Sequence, residues 1–260
     1  MRGKERRLQL MDALHAGEVD VAVLAERFGV SASTVRRDLQ RLSNQNAVVR
    51  TYGGAILTAH TPEQSLSQRL LARGAEKKAI ALAAINLVKE GDTLLLDAGT
   101  TVLAFAHLLR GKRLRIITSN LAMVPILANE ADIELIVLGG SLRAASMGTI
   151  GPFAIEGLQH LTADRAFMSA DGVVAKRGLC EASLDQAYLK STMIRQSREL
   201  VVLADASKVG RADSTAWTLF PSSWRLVTDA SPKSEDIVDL IACGAKPIFV
   251  APGNEAPDQA

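Results

Sequence analysis

The sequence predicts an α/β protein with two domains: a small helical domain that ends in a β-hairpin, and a larger domain built on a mostly parallel sheet. Two patterns lead to this prediction. Apolar residues recur with helical spacing over residues 1–42, whereas from Lys77 onward short apolar strands alternate with amphipathic helices. With 260 residues, of which 48% are hydrophobic, the chain is long enough to fill two cores.

The first two helices of the N-terminal domain are predicted from their apolar periodicity. The first helix spans Met1 to Leu14 and is expected to turn three side chains inward: Leu8, Met11 and Leu14. The second helix runs from about Asp20, whose carboxylate is a good N-cap, to Phe28. Its apolar residues recur at i, i+3, i+4 and i+7 and form one face: Val21, Leu24, Ala25 and Phe28.

The third helix follows at once and carries two adjacent arginines, Arg36 and Arg37. Gly29 permits a tight turn before it, and Ser31 can cap it. Three apolar residues are expected on its buried side: Val35, Leu39 and Leu42. The arginines on the other faces fit either an ordinary solvated helix or contact with DNA, since arginine can bind guanine or phosphate with two hydrogen bonds.

The context of this helix favours contact with DNA. A short strand and a glycine turn follow within Ala47–Ala55, and three helices followed by a β-wing make a winged helix-turn-helix. Residues 1–55 hold nine Lys and Arg against six acidic residues, a net charge of +3, whereas the whole chain carries +2. The helix-turn-helix is expected from about Asp20 to Leu39. The residues expected to contact double-stranded DNA are Ser31, Ser33, Thr34, Arg36, Arg37, Arg41 and Arg50.

The second domain is predicted to span residues 76–252. Residues 58–75 are expected to form a linker, because His60–Ser65 is polar and contains Pro62, and residues 253–260 a tail. The strands of the sheet are expected at Thr93–Leu96, Leu114–Thr118, Ile133–Leu138, Ala166–Met168, Leu200–Leu203, Arg225–Thr228 and Pro247–Val250. The helices are expected near 80–88, 102–109, 122–128, 184–197 and 234–243.

Polar residues follow five of these strands, and parallel strands bring their carboxyl ends to one crevice. After the first strand, Gly99 allows close backbone approach, and Thr100 and Thr101 offer hydroxyls beside the free N–H groups of a helix start. Taken alone, each of these polar strand-end segments is typical of a helix cap or a turn. Together they predict a pocket for a small phosphorylated polyol.

Metal, cofactor and membrane functions find no support in the sequence. Cys180 and Cys243 have neither metal nor redox spacing, and the four histidines are scattered, so we expect no metal and no cofactor. The basic N-terminus lacks the apolar core of a signal peptide, and no apolar run reaches membrane-spanning length. The expected location is the cytoplasm, with no membrane partner.

Both halves of the chain resemble one known family. Leu24–Ser31, Thr34–Leu39 and Arg50–Ala55 resemble the N-terminal domain of DeoR-type bacterial transcriptional regulators, although Asn46 stands where that family usually has a glycine. The C-terminal part resembles the family's sensor domain, which is similar in fold to ribose-5-phosphate isomerase. The matching residues there are Asp97–Thr101, Ser119–Asn120, Gly139–Gly140, Asp164–Gly172 and Asp205–Gly210. The two resemblances cover about residues 3–250.

The resemblance implies a regulator, most commonly a repressor, of a carbohydrate-metabolism operon that is controlled by a sugar-phosphate effector, and it implies no enzymatic activity. The effector-binding residues that it implies are Asp97, Gly99, Thr100, Thr101, Ser119, Asn120, Gly139, Gly140, Asp171, Lys190 and Lys208. One winged helix offers few contacts, so a homo-oligomer, either a dimer or a tetramer, is expected on symmetric half-sites.

Two other functions remain as alternatives. A sugar-phosphate isomerase would need a carboxylate base and an electrophile, for which Asp171, Asp205, Glu181 and Lys208 are available. An attached winged helix has no use in such an enzyme. An architectural DNA-binding protein without a ligand conflicts with the predicted crevice.

Overall fold

A computed structural model describes residues 6, 10, 13, 19–44, 48–50, 54–57 and 66–251. The contacts divide the chain into two compact units, Met1–Glu63 and Gln64–Ala260. Within the described residues, no helix is both long enough and apolar enough to cross a membrane.

The first unit contains a helix-turn-helix. Helix α1 (Val21–Phe28) begins where the carboxylate of Asp20 accepts a hydrogen bond from the backbone N–H of Ala22 at 2.6 Å, as the sequence predicted. It ends at Gly29, whose φ of 61° lies in the left-handed region that glycine adopts at little cost. This turn leads into helix α2 (Ala32–Asn44).

Helix α2 packs one side against the core of the first unit. The Ser31 hydroxyl accepts a hydrogen bond from the Thr34 N–H at 3.2 Å and caps the first turn of α2. The buried residues of this core are Leu10, Ala13, Val21, Leu24, Phe28, Val35 and Leu39. Leu8, Met11, Leu14 and the side chain of Leu42, which the sequence also placed inside, lie outside the described residues.

A small antiparallel sheet completes the described part of the first unit. Its strands are β1 (Val19–Asp20), β2 (Val48–Arg50) and β3 (Gly54–Leu57), with β3 in the middle. The β2–β3 hairpin is the predicted wing. The sequence did not predict β1, because a strand of two residues has no periodicity to detect.

The second unit is built on twelve described strands that alternate with helices. In chain order the strands are β4 (Thr93–Leu96), β5 (Leu114–Thr118), β6 (Ile133–Val137), β7 (Ser141–Arg143), β8 (Gly148–Ile150), β9 (Ala163–Met168), β10 (Gly172–Val174), β11 (Gly178–Glu181), β12 (Ser197–Leu203), β13 (Ala216–Thr218), β14 (Trp224–Thr228) and β15 (Ala245–Phe249). The helices are α3 (Leu66–Leu71), α4 (Gly74–Ala84), α5 (Thr100–Ala106), α6 (Val124–Leu127), α7 (Pro152–Gln159), α8 (Leu184–Arg195) and α9 (Glu235–Ala242).

Seven of these strands form one parallel sheet in the order β15-β14-β12-β9-β4-β5-β6. Both faces of the sheet are covered. Leu94 and Leu96 pack on one face with residues of α4 and α5, whereas Leu95 packs on the other face with residues of α7 and α8. Each of these strands contains a short apolar run, which is typical of strands covered on both faces and is why the sequence predicted all seven.

The order of the strands reverses at β4. The chain runs from β4 outward to β5 and β6, and then returns to place β9 on the other side of β4. Ligands of such sheets bind outside the carboxyl ends of the strands at this reversal. The fold thus predicts that a site lies beside the ends of β4 and β9.

The structure contains two further β-elements that the sequence did not predict. One is the β7–β8 hairpin, and the other is an antiparallel sheet in the order β10-β11-β13. Most of these strands have three residues, too few to show an alternating pattern, and β11 pairs with β13 across a long stretch of sequence. The small antiparallel sheet matters because its strand β11 ends in Glu181 beside the crevice.

Candidate functional site

A cavity of about 180 Å³ lies at the carboxyl ends of β4, β9 and β12, where the sheet order reverses. The loop after β4 contributes residues 98–101, and the loop after β9 contributes residues 169–171. Asp205 and Lys208 follow β12. Helices α3 and α4 supply one further set of lining residues, and β11 with α8 supplies another.

One end of the cavity is cationic. Four basic residues surround it: Arg69, Arg73, Lys77 and Lys208. Asp205 lies among them, with its Oδ1 3.5 Å from Arg73 Nε. Burial lowers the pKa of Lys77; Asp205 opposes this, and the positive charges of Lys208 and Arg69 add to it. Glu76 is a second acid at this end, with its Oε1 3.5 Å from Arg73 Nη1. Four cations against two carboxylates leave a net positive charge of two, which suits a phosphate group.

The other end of the cavity contains a buried acidic cluster around Lys190. The Lys190 ammonium lies 2.8 Å from Asp97 Oδ2 and 2.5 Å from Glu181 Oε1, and it donates a hydrogen bond to the Ser169 carbonyl oxygen. Burial disfavours the charged lysine, but the two carboxylates outweigh this and raise the pKa of Lys190. Burial also raises the pKa of Glu181 to about 8; the charge of Lys190 opposes this rise, and the charge of Asp171 adds to it.

The acidic end has the chemistry to bind hydroxyl groups. Gln186 donates a hydrogen bond from Nε2 to Glu181 Oε2 at 3.2 Å, and both side chains line the cavity together with Asp171. Carboxylate and amide oxygens accept hydrogen bonds from sugar hydroxyls. No group of three or more His, Cys, Asp and Glu side chains in the described part of the chain is arranged to hold a metal ion.

The two ends are joined by the loop after β4, which holds Gly99, Thr100 and Thr101. A Cβ on Gly99 would lie 1.8 Å from Ser169 Oγ, so the absence of a side chain lets the loops after β4 and β9 meet. Thr100 and Thr101 are buried, and both line the cavity. The loop thus brings hydroxyls and backbone N–H groups to the space between the cations and the acids.

The structure brings most of the predicted effector residues together. The ones that line the cavity are Gly99, Thr100, Thr101, Asp171, Lys190 and Lys208. Asp97 lies behind Lys190 and also accepts a hydrogen bond from the Ser169 N–H at 3.2 Å. Ser119 lines a separate small recess that also contacts Asp97 and Lys190. These two residues are therefore placed to support the site rather than to touch a ligand in the main cavity.

Three predicted residues are not brought to the cavity: Asn120, Gly139 and Gly140. The Asn120 side chain instead accepts a hydrogen bond from the Ala122 N–H at 3.0 Å and caps the next turn. Gly140 has a φ of 137°, and a Cβ there would lie 2.5 Å from the Ile150 carbonyl oxygen. The structure therefore gives this glycine a conformational role at the start of the β7–β8 hairpin.

The sequence missed several residues that line the cavity: Arg69, Arg73, Lys77, Gln186 and Arg211. The first two fall within residues 58–75, where a linker was expected. The sequence did contain a signal, because Arg69, Arg73 and Lys77 are spaced at i, i+4 and i+8. In a helical segment this spacing places them on one side. The structure has helix α3 within that range.

The first unit presents the predicted DNA-contact residues on α2. Arg36 and Arg37 are exposed, whereas the next residue, Asp38, is buried. Asp38 lies 2.7 Å from Arg6 Nε, a contact that attaches α2 to the preceding helical segment. Ser31 and Ser33 are exposed, and Thr34 is half-buried. The side chains of Arg41 and Arg50 lie outside the described residues.

The glutamine variant of Glu181 is expected to gain stability relative to wild type as the pH rises. The pKa of Glu181 is about 8 in the folded protein against an ordinary value of 4.5, so between these values the folded state retains a proton that the unfolded chain releases. Wild-type stability therefore falls as the pH rises through this window, and Glu181→Gln avoids the loss. Urea denaturation at several pH values from about 5 to 8.5 measures the difference.

Glu199→Gln provides a control, because the pKa of Glu199 is shifted in the opposite direction. Burial acts to raise the pKa of Glu199, but Arg225 and Arg165 outweigh it and lower the pKa. The stabilisation from this carboxylate is complete above 4.5, so Glu199→Gln should be less stable than wild type by a constant amount across the same pH range. A Glu181→Gln difference that is equally constant would contradict the assignment of Glu181.

Comparison with known proteins identifies the family. A family model described as the DeoR-like helix-turn-helix domain matches residues 6–61, and one described as the DeoR C terminal sensor domain matches residues 72–230. The chain belongs to the DeoR family. This DeoR-family protein therefore combines a DNA-binding helix-turn-helix unit with a sensor unit, and the cavity lies in the sensor unit.

Curated relatives of this DeoR-family protein are named as repressors. The HTH-type transcriptional repressor GlcR of Bacillus subtilis (strain 168) is 32% identical over 98% of this chain and 99% of the relative. The glycerol-3-phosphate regulon repressor of Escherichia coli (strain K12) is 34% identical over 75% of this chain and 78% of the relative. Among solved structures, ribose 5-phosphate isomerase A of Methanocaldococcus jannaschii is 22% identical, covers 51% of this chain and 52% of its own, and gives a TM-score of 0.38. That similarity supports no conclusion about function.

Proposed function

We propose that this DeoR-family regulator is a repressor of a carbohydrate-metabolism operon and that its sensor unit binds a phosphorylated sugar or polyol. The observation that carries the proposal is the charge separation in the cavity, with four basic residues at one end and the acids Asp171 and Glu181 beside Lys190 at the other. A phosphate fits the first end and a chain of hydroxyls the second. The volume of about 180 Å³ suits a small metabolite.

The orientation of the ligand follows from the charges. Its phosphate lies beside Lys77 and Lys208, its middle beside Thr100 and Thr101, and its hydroxyls face Asp171. The relative named for a glycerol-3-phosphate regulon supports a small phosphorylated metabolite as the effector class. Asp97 supports this arrangement from behind by holding Lys190.

In the first unit, α2 inserts into the major groove of the operator. Arg36 and Arg37 contact bases or phosphates there, and a homodimer or tetramer places two such helices on symmetric half-sites. Such a repressor acts beside the chromosome in the cytoplasm. Effector binding changes operator affinity by shifting the arrangement of the protein, a coupling that typically amounts to about 1–3 kcal/mol.

Titration calorimetry with a panel of metabolites tests this proposal. The panel pairs glucose 6-phosphate, glycerol 3-phosphate and ribose 5-phosphate with glucose, glycerol and ribose. We expect at least one phosphorylated compound to bind and its unphosphorylated partner to bind about 100-fold more weakly, since several charge-assisted hydrogen bonds are lost. If no phosphorylated compound binds, or if both members of each pair bind equally, the proposed effector class is wrong.

The same samples discriminate the isomerase alternative. A sugar-phosphate isomerase would convert the phosphorylated compounds during incubation, whereas a sensor returns them unchanged. The family assignment and the helix-turn-helix unit do not favour the enzyme. Turnover that requires Glu181 and Asp171 would reverse that preference.

A further inference from the structure

Helix α8 and two elements packed against it expose a patch of large apolar side chains. α8 packs beside α7 on the same face of the sheet, and the Thr218 hydroxyl of β13 donates a hydrogen bond to the Ala187 carbonyl oxygen of α8 at 2.9 Å. These elements carry four apolar side chains that are 62–80% exposed. We call them the α8 patch: Leu184 and Tyr188 on α8, Phe153 on α7, and Leu219 directly after β13.

The α8 patch is large for the surface of a monomeric protein. A fully exposed large apolar side chain presents on the order of 200 Å², so four side chains at these exposures present roughly 500 Å². A single exposed leucine is ordinary, but an apolar patch of this size on a soluble protein marks an interaction surface. The cavity does not account for the patch, because α8 supplies Gln186 and Lys190 to the cavity and none of the four patch residues lines it.

The outer side of α8 is complementary to a second copy of itself that runs antiparallel. Four of its residues recur at i, i+4, i+7 and i+11 and form one stripe along the helix: Leu184, Tyr188, Ser191 and Arg195. When two such stripes cross about a two-fold axis at their centre, Tyr188 lies over the small Ser191 of the second copy. Arg195 then meets the exposed Asp185 of the second copy, so opposite charges flank the apolar centre at both ends. A parallel arrangement would instead bring like charges together at each end.

We propose that the α8 patch is the interface through which two sensor units pair, with α8 packed antiparallel against α8 of a second copy. A standard interface buries about 800 Å² on each partner, and its fully buried core is mostly apolar. The patch supplies this core, and the charged ends of α8 supply part of the rim. A second copy is the occupant because the stripe matches its own reverse, and because symmetric half-sites on DNA require a two-fold pair. In that last respect the inference rests on the proposed function.

Tyr188→Arg tests the centre of this interface. In sedimentation equilibrium of the full-length protein without DNA, wild type should have at least the mass of a dimer. Tyr188→Arg should weaken that association roughly 100-fold, because it places two like charges at the desolvated centre of the interface. Leu82→Arg is the matched control: Leu82 is 50% exposed on α4, which covers the opposite face of the sheet, so association should stay within about twofold. Melting followed by circular dichroism checks that both variants fold.

Reversing the charges at the ends of α8 distinguishes pairing between copies from contacts within one helix. Asp185 and Arg195 are about 15 Å apart along α8, so they do not contact each other within one chain. Asp185→Lys and Arg195→Glu should each weaken association about 10-fold, because each leaves like charges facing across the interface. The double variant Asp185→Lys/Arg195→Glu should recover most of the wild-type association, because it restores opposite charges in reversed order.

The outcomes separate this inference from the proposed function. If wild type assembles and Tyr188→Arg assembles equally well, the inference is wrong, while the proposed homo-oligomer stands with another interface. A double charge variant that associates no better than the single variants would contradict the antiparallel arrangement. A wild type that is monomeric at about 100 µM would overturn both the inference and the proposed homo-oligomer. The effector class is tested separately, by calorimetry with the phosphorylated compounds.

Discussion

Replacing Lys190 with methionine is expected to lower the free energy of unfolding of the sensor unit by about 3–5 kcal/mol. Lys190 is buried between the carboxylates of Asp97 and Glu181, which are themselves buried. Methionine fills similar space but removes the ammonium group that contacts both carboxylates. Two acids would then be left in an apolar environment without compensation, which costs far more than the loss of an exposed ion pair.

Urea denaturation near pH 9, where Glu181 with its pKa of about 8 is ionised, followed by circular dichroism measures this loss. Lys233→Met removes the same charge from an exposed loop and should change stability by less than about 0.5 kcal/mol. Adding Glu181→Gln to Lys190→Met should restore part of the lost stability, because one uncompensated carboxylate disappears. A cost for Lys190→Met no larger than that for Lys233→Met would show that the cluster does not hold the site together.

The size of this effect reflects what Lys190 connects. From α8 its ammonium reaches the end of β4 through Asp97, the loop after β9 through the Ser169 carbonyl, and the end of β11 through Glu181. Three loops that line the cavity are thus fixed by one side chain. The site is preformed before any ligand arrives, which reduces the entropy lost on binding.

The sequence predicted the cavity residues that follow strands, but it did not predict Arg69 and Arg73 at the cationic end. Thr100, Thr101, Asp171 and Lys208 follow strands of a parallel sheet, and the topology of such a sheet brings strand ends together whatever the details of packing. Arg69 and Arg73 follow a polar stretch that contains Pro62, and such a stretch is typical of a linker. Only the packing of α3 and α4 against the sheet places Arg69 and Arg73 at the cavity.

Gly139 and Gly140, which follow β6, were predicted at the crevice but do not line the cavity. Gly139 and Gly140 follow a strand just as Gly99 does, so the pattern alone assigns all three to the crevice. The β7–β8 hairpin that begins beyond them gives the pair a different role, and its three-residue strands are too short to predict from local sequence. Strand-end residues are therefore predictable as a group, whereas their individual roles depend on elements that form through distant contacts.

Changing both Arg36 and Arg37 to alanine is expected to weaken operator binding by roughly 2–6 kcal/mol, since each arginine that reads a base contributes about 1–3 kcal/mol. Both side chains are exposed on α2, and the core contacts of that helix come from Val35 and Leu39, so the first unit should fold normally. Fluorescence anisotropy with an operator selected from a random DNA library measures the loss.

Arg113→Ala/Arg198→Ala is the matched control for net charge. It removes two positive charges from exposed positions in the sensor unit, where the side chains are 72% and 86% exposed. It should leave operator affinity nearly unchanged at moderate salt, because the proposed DNA contacts lie in the first unit and salt screens exposed charges. Equal losses in the two double variants would mean that total charge, and not the position of the arginines on α2, governs binding.

The salt dependence of the Arg36 and Arg37 single variants then assigns each arginine a role. Loss of a phosphate contact reduces the slope of log affinity against log salt by about one and weakens binding to all sequences alike. Loss of a base contact leaves the slope unchanged and relaxes the preference at one base pair. In either case, binding of glycerol 3-phosphate or any other effector should match wild type, because all cavity residues lie in the other unit. Such a result would place DNA recognition in the first unit and leave effector binding to the sensor unit.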